Sequence, residues 1–148
     1  MPADKTSKRR ASRQAEGFQR VRDAHQTEVA EDYVELISDL IAENGEARVV
    51  DLAVRLGVSS ATVNNTIQRL QRDGLVHSKP YRSIFLTEEG ETLATTSRER
   101  HVVVRDFLIA LGVANETAEA DAEGLEHHVS DATLQAFRRF LDKARRSG

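Results

Sequence analysis

Residues 48–76 read RVVDLAVRLGVSSATVNNTIQRLQRDGLV, and this stretch decides the fold. Val49, Leu52, Ala53 and Leu56 recur at the spacing of one buried helical face, so Arg48 to Leu56 is a short helix. Gly57-Val58-Ser59 makes a turn, because glycine tolerates the left-handed backbone of a helix stop. Ser59 or Ser60 can cap a second helix that runs to about Asp73, with Val63, Ile67 and Leu70 inward. Two short helices joined by such a turn are the signature of a helix-turn-helix. Gly74-Leu75-Val76 then starts a strand, Lys79-Pro80-Tyr81-Arg82 turns, and Ser83 to Leu86 returns. A hairpin directly after the second helix makes the unit a winged helix-turn-helix.

A helix that enters the major groove needs an apolar face against its own domain and an outward face of small or amide side chains. The outward positions here are Ser60, Ala61, Thr62, Asn64, Asn65 and Gln68, with Ser59 at the start. Asn and Gln can pair bidentately with adenine, Ser and Thr hydrogen-bond to bases or phosphates, and Ala61 can meet a thymine methyl. Arg48, Arg69, Arg72, Lys79, Tyr81 and Arg82 surround that face, where phosphate contacts would fix orientation. The expected partner is double-stranded operator DNA.

Upstream, Val29, Tyr33, Leu36, Ile37, Leu40 and Ile41 place one buried stripe on a helix from about Phe18 to Glu43, ended by Asn44-Gly45. The residues before it, with Lys5, Lys8, Arg9, Arg10 and Arg13 and little that is apolar, read as a disordered basic tail over 1–17. Downstream, Thr87 caps a long helix through about Leu111 that opens on Glu88, Glu89 and Glu91. The second half of that helix is apolar on more than one side and needs covering on several faces. The winged-helix unit can cover one face and a second copy of the chain another, so a homodimer is expected. Two short helices, Glu116 to Asp121 and Ala122 to His128, and a last one from Ser130 to Ala144 complete the chain. The fold class is mainly α: a winged helix-turn-helix domain over 18–87, then an all-α dimerisation and metal-binding domain over 88–148.

Composition narrows the function. The chain has 148 residues, 39% hydrophobic and 30% charged, which suits a folded protein. It has no cysteine, which excludes disulfides, thiolate zinc sites, iron–sulfur clusters and a cysteine nucleophile. Without a membrane span or signal peptide in its sequence, it is expected in the cytoplasm, with no membrane partner. The net charge of −3 conceals polarised blocks. Residues 26–43 carry six acids and no Lys or Arg, as do residues 113–131, and between them residues 44–85 carry six basic groups against three acids.

The acidic blocks hold a patterned set of side chains. Asp32 and Glu35 share a face of the first helix. Glu123, Glu126 and His127 converge on one side of a turn, and His101 lies among apolar residues of the long helix. Four carboxylates and two imidazoles without sulfur favour a hard to borderline divalent ion such as Mn(II), and six side chains can hold two ions through bridging carboxylates.

These residues resemble the diphtheria-toxin-repressor family of metal-dependent transcription factors, in its manganese-transport-regulator branch, from about Val29 to Phe140. The likeness rests on Glu31-Asp32-Tyr33-Val34-Glu35, Gly45-Glu46-Ala47-Arg48-Val49, the helix-turn-helix, Phe85-Leu86-Thr87 with Glu89-Gly90, and above all Asp121 to Ser130, which holds Glu123-Gly124-Leu125-Glu126-His127-His128. The resemblance implies a dinuclear manganese site on Asp32, Glu35, His101, Glu123, Glu126 and His127. Iron-responsive relatives are similar in fold but place Met where Asp32 stands and Cys where Glu126 stands. They also carry an SH3-like third domain, which is not expected here. The resemblance implies a regulator that binds a palindromic operator when loaded with Mn(II) and represses manganese uptake genes. An Fe(II)- or Zn(II)-responsive regulator of the same fold is the alternative. A two-metal hydrolase would need a phosphate loop or activated nucleophile that the sequence does not show, so neither catalysis nor a small organic substrate is expected.

Overall fold

The computed structural model describes residues 2–79 and 82–147. Eight elements follow in order: α1 (Pro2–Asn44), α2 (Val49–Leu56), α3 (Ser60–Arg72), β1 (Val76–His77), β2 (Phe85–Leu86), α4 (Glu88–Ala110), α5 (Asn115–Leu125) and α6 (Asp131–Ser147).

The apolar stripes build two cores. Tyr33, Ile37 and Leu40 of α1 pack with Leu52 of α2, Val63, Ile67 and Leu70 of α3, and Val76 and Ile84 of the wing. Val103 and Val104 of α4 pack with Ala122 of α5 and Leu134 and Leu141 of α6, joined by Phe107 stacked on Phe137 at 3.9 Å between ring centroids. The C-terminal turns of α1 therefore belong to the winged helix, and α4 lies along α1, α5 and α6 to tie both cores together.

Local chemistry sets the boundaries. Gly57 stops α2 with φ +68°, and its neighbour Val58 donates its backbone N–H back to Ala53. Ser59 caps α3 by accepting from the Thr62 N–H at 3.1 Å. Thr87 caps α4 by accepting from the Gly90 N–H, while its own hydroxyl donates to the Gly74 carbonyl at 2.6 Å. Gly90 lies so close to the wing that a Cβ there would fall 2.1 Å from the Leu75 carbonyl oxygen. The hairpin pairs Val76 with Leu86 and His77 with Phe85, and Ile84 reaches back to bridge Ala47.

Three expectations are corrected. Residues 4–17 are not a disordered tail but the first turns of α1, exposed nearly throughout. Their low hydrophobicity suggested disorder, yet Lys, Arg, Ala and Gln are strong helix formers, and a helix already nucleated by its buried half extends at little cost. An i,i+4 pair, Lys8–Asp4 at 3.0 Å, supports this stretch. The two short helices expected over 116–128 are one, α5, because Ala118 and Ala122 share a fully buried face across the expected break. Finally, the returning strand is shorter than expected, with Ser83 turned instead to donate its hydroxyl to Glu46.

Candidate metal centre and nucleic-acid interface

Asp32 and Glu35 stand one turn apart on α1, facing α4 and the end of α5. His101 reaches across from α4, while Glu123 comes from the last turn of α5 and Glu126 and His127 from the turn after it. All six expected residues meet. His101 Nδ1 lies 3.1 Å from Glu126 Oε2 and 3.6 Å from Glu123 Oε1. His127 Nε2 lies 3.2 Å from Asp32 Oδ1 and 3.3 Å from Glu126 Oε1. Glu35 is close enough to Glu123, Asp32 and His127 to feel their charges. The turn carrying Glu126 is pinned by Arg100, whose guanidinium donates to the carbonyls of Glu126 and Val129. On the other side, Arg98 donates to the Glu35 carbonyl and pairs with Asp39.

The electrostatics are those of crowded carboxylates. Burial pushes the Glu126 carboxyl up to about 8, and the charge of Glu35 adds to the shift. Burial likewise raises Glu35, opposed by the Ser97 hydroxyl and reinforced by Glu123 and Asp32. Burial alone would lower the His127 imidazole, but Asp32, Glu31 and Glu126 around it lift its pKa to about 10. Glu35 Oε1, Glu126 Oε2, His101 Nδ1 and His127 Nε2 are all buried without a hydrogen-bond partner. Buried polar atoms are seldom left so, and four of them within one cluster of acids and imidazoles suit a cation that takes their lone pairs; the tightest groupings there are Glu28, Asp32 and His127, and His101, Glu119 and Glu123. The donor set, carboxylate oxygen and imidazole nitrogen without sulfur, fits a divalent ion such as Mn(II).

On the other core, the outward face of α3 is open: Ser60, Ala61, Thr62, Asn64, Asn65 and Gln68 are exposed. Ser59 is exposed too, but its hydroxyl is engaged in the cap and in a 3.0 Å contact with the Thr62 hydroxyl. Asn64, Gln68, Gln71, Ser78, Lys79 and Arg82 line one groove between α3 and the wing. Arg72 is exposed and Arg69 half-buried, and Arg48 is held beside the groove by Glu46 at 2.8 Å. Tyr81 lies outside the described residues.

The family described as "Iron dependent repressor, N-terminal DNA binding domain" matches residues 25–84, and "Iron dependent repressor, metal binding and dimerisation domain" matches residues 87–147. The chain belongs to this family. Within it, the MntR branch is the nearer kin. The chain is 59% identical over 128 residues to "Transcriptional regulator MntR" of Escherichia coli O6:H1, covering 86% of this chain and 83% of that one. It is 41% identical over 100 residues to "HTH-type transcriptional regulator MntR" of Lysinibacillus sphaericus, covering 68% and 72%. A solved "Manganese-dependent transcriptional repressor complex with manganese" superposes with a TM-score of 0.67 at 31% identity, and the manganese regulator SloR with 0.66 at 27%. In both, 76% of this chain is covered but only about half of the solved chain, 52% and 53%.

The chain is thus a metal-dependent transcriptional repressor of the MntR branch rather than an enzyme, with a divalent metal as cofactor and DNA as partner. No helix among the described residues is long and apolar enough to cross a membrane. Some residues at these sites escaped the sequence reading. Gln71 shares a face with Asn64 and Gln68 at i+7 and i+3, a signal that was available. Glu31 and Glu119, which touch the outer nitrogens of His127 and His101, lie 96 and 18 residues from their partners and carry no spacing signal.

Proposed function

We propose that the protein is a homodimeric Mn(II)-responsive repressor that binds a palindromic operator and controls manganese uptake genes. Its ligands are Asp32, Glu35, His101, Glu123, Glu126 and His127, and these side chains hold two ions per subunit. The observation that carries this reading is that four ligand atoms, on side chains from α1, α4 and the end of α5, are buried without a hydrogen-bond partner. The names of the MntR relatives and of the manganese-dependent repressor structure support manganese over iron or zinc, as does the absence of cysteine.

Asp32 and Glu35 sit on the helix whose later turns form the winged-helix core, while the other four sit on the dimerisation half. Bound Mn(II) would supply the positive charge that cancels the repulsion which otherwise keeps these carboxylates from ionising together. With that repulsion cancelled, the α1 carboxylates hold the winged helix at a narrower range of angles to α4 and α5. Two recognition helices of a dimer must stand roughly 34 Å apart to enter successive major grooves, so fixing that angle favours the DNA-competent geometry. Ser60, Ala61, Thr62, Asn64, Asn65 and Gln68 then read base edges, and Arg48, Arg69, Arg72, Lys79, Tyr81 and Arg82 contact phosphates. Ser59 serves as the cap that aims the helix.

The test uses duplex DNA selected from a random pool by the Mn(II)-loaded protein. Gel-shift titrations compare wild type and Glu35→Ala, with and without Mn(II). Tight binding by wild type with Mn(II) alone is expected; equal affinity in all four arms would end the metal-switch reading. If Fe(II) or Zn(II), but not Mn(II), supports binding at cellular concentrations, the alternative sensor is correct.

A further inference from the structure

Metal-site imidazoles must offer one particular nitrogen, and a neutral ring can carry its proton on either. The two histidines here solve this in mirror fashion. His127 turns Nε2 toward Asp32 and Glu126, and its Nδ1 lies 2.5 Å from Glu31 Oε2. His101 turns Nδ1 toward Glu126 and Glu123, and its Nε2 lies 2.7 Å from Glu119 Oε1. In both rings the inner nitrogen is buried without a hydrogen-bond partner, while the outer one faces a carboxylate. Glu31 is itself buried, at 5% exposure, an expensive place for a carboxylate with no task. Glu119 is half exposed on α5, and Arg105 steadies it at 3.5 Å. Neither residue belongs to the ligand set above.

We propose that Glu31 and Glu119 are positioning residues: each accepts the outer N–H of one imidazole and thereby fixes His127 to bind through Nε2 and His101 through Nδ1. The inference rests on the six-residue site proposed above. A carboxylate behind a ligating imidazole orients the ring, locks its tautomer and raises its basicity, and losing such a partner lowers metal affinity by about 10- to 100-fold. Glu119 sits four residues before Glu123 on the same face of α5, so one helix supplies both a ligand and the group that aims its neighbour.

NMR of histidine-labelled protein loaded with a spin-half cadmium isotope reads which ring nitrogen is bound, through metal–nitrogen coupling. Mn(II) titration of the same variants gives affinity. Wild type is expected to couple through Nε2 of His127 and Nδ1 of His101. Glu119→Ala should lose the single coupling at His101 and about 10- to 100-fold in Mn(II) affinity, while Glu119→Gln, which keeps an acceptor, should restore the coupling and most of the affinity. Glu31→Gln should likewise keep Nε2 coupling at His127, avoiding the fold risk of emptying a buried position. Unchanged coupling and affinity in Glu119→Ala would overturn the proposal. So would loss in Glu119→Gln as large as in Glu119→Ala with His101 coupling intact, since Glu119 would then be a ligand. Wild type with no coupling to either histidine would instead refute the six-residue site itself.

Discussion

At the scale of single residues, the centre is defined by protons as much as by geometry. Glu126, with its pKa near 8, and His127, with its pKa near 10, both hold a proton at neutral pH in the metal-free protein. A metal ion needs the carboxylate ionised and the imidazole neutral, so binding must expel those protons. Lowering the pH therefore weakens Mn(II) binding and raising it strengthens binding. Calorimetry in buffers of different ionisation enthalpy should show net proton release at pH 7. Release close to zero would mean that neither group binds metal. Glu126→Gln removes the group with the largest carboxyl shift, and Mn(II) uptake measured by equilibrium dialysis should fall sharply while the metal-free fold persists, because a neutral amide suits this crowded pocket.

At the scale of elements, the caps and the close approach at Gly90 carry the testable content. Ser59→Ala removes the α3 cap and should cost about 1 kcal/mol by denaturant unfolding. Gly90→Ala drives a methyl into the Leu75 carbonyl, and since backbone must yield, a loss of about 1–3 kcal/mol is expected. Much at this scale was legible in the sequence. Gly57, Ser59 and Thr87 occupy the stops and caps that their chemistry suggests, and the inward faces of α2 and α3 follow the apolar spacing. What was illegible depended on packing elsewhere. Residues 4–17 have no apolar side chain larger than alanine to announce a helix, and they are helical as an outgrowth of a stripe that begins near Val29. The continuity of α5 past Asp121 follows from two buried alanines, which are too small to mark a face in sequence.

At the scale of the molecule, the six candidate side chains were legible as a set because three of them are clustered in one motif and two share one helix face. Their meeting was not, since it depends on α4 packing against both α1 and α5. The carboxylates that aim the two imidazoles were also hidden, because contacts 18 and 96 residues apart leave no periodic trace. Exposed Val102 and Ile109 on α4, Leu125 at the end of α5 and Phe140 on α6 are apolar surface suited to a second copy. Phe140→Glu should shift sedimentation toward monomer and weaken operator binding. Because α1 carries Asp32 and Glu35 and also builds the winged-helix core, metal affinity and DNA affinity must be linked, and linkage is reciprocal. The most direct measurement is Mn(II) affinity of the wild-type protein with and without selected operator DNA. The account predicts that DNA tightens Mn(II) binding by the same factor by which Mn(II) tightens DNA binding, and that Glu35→Ala removes both effects. Mn(II) affinity indifferent to DNA would contradict it.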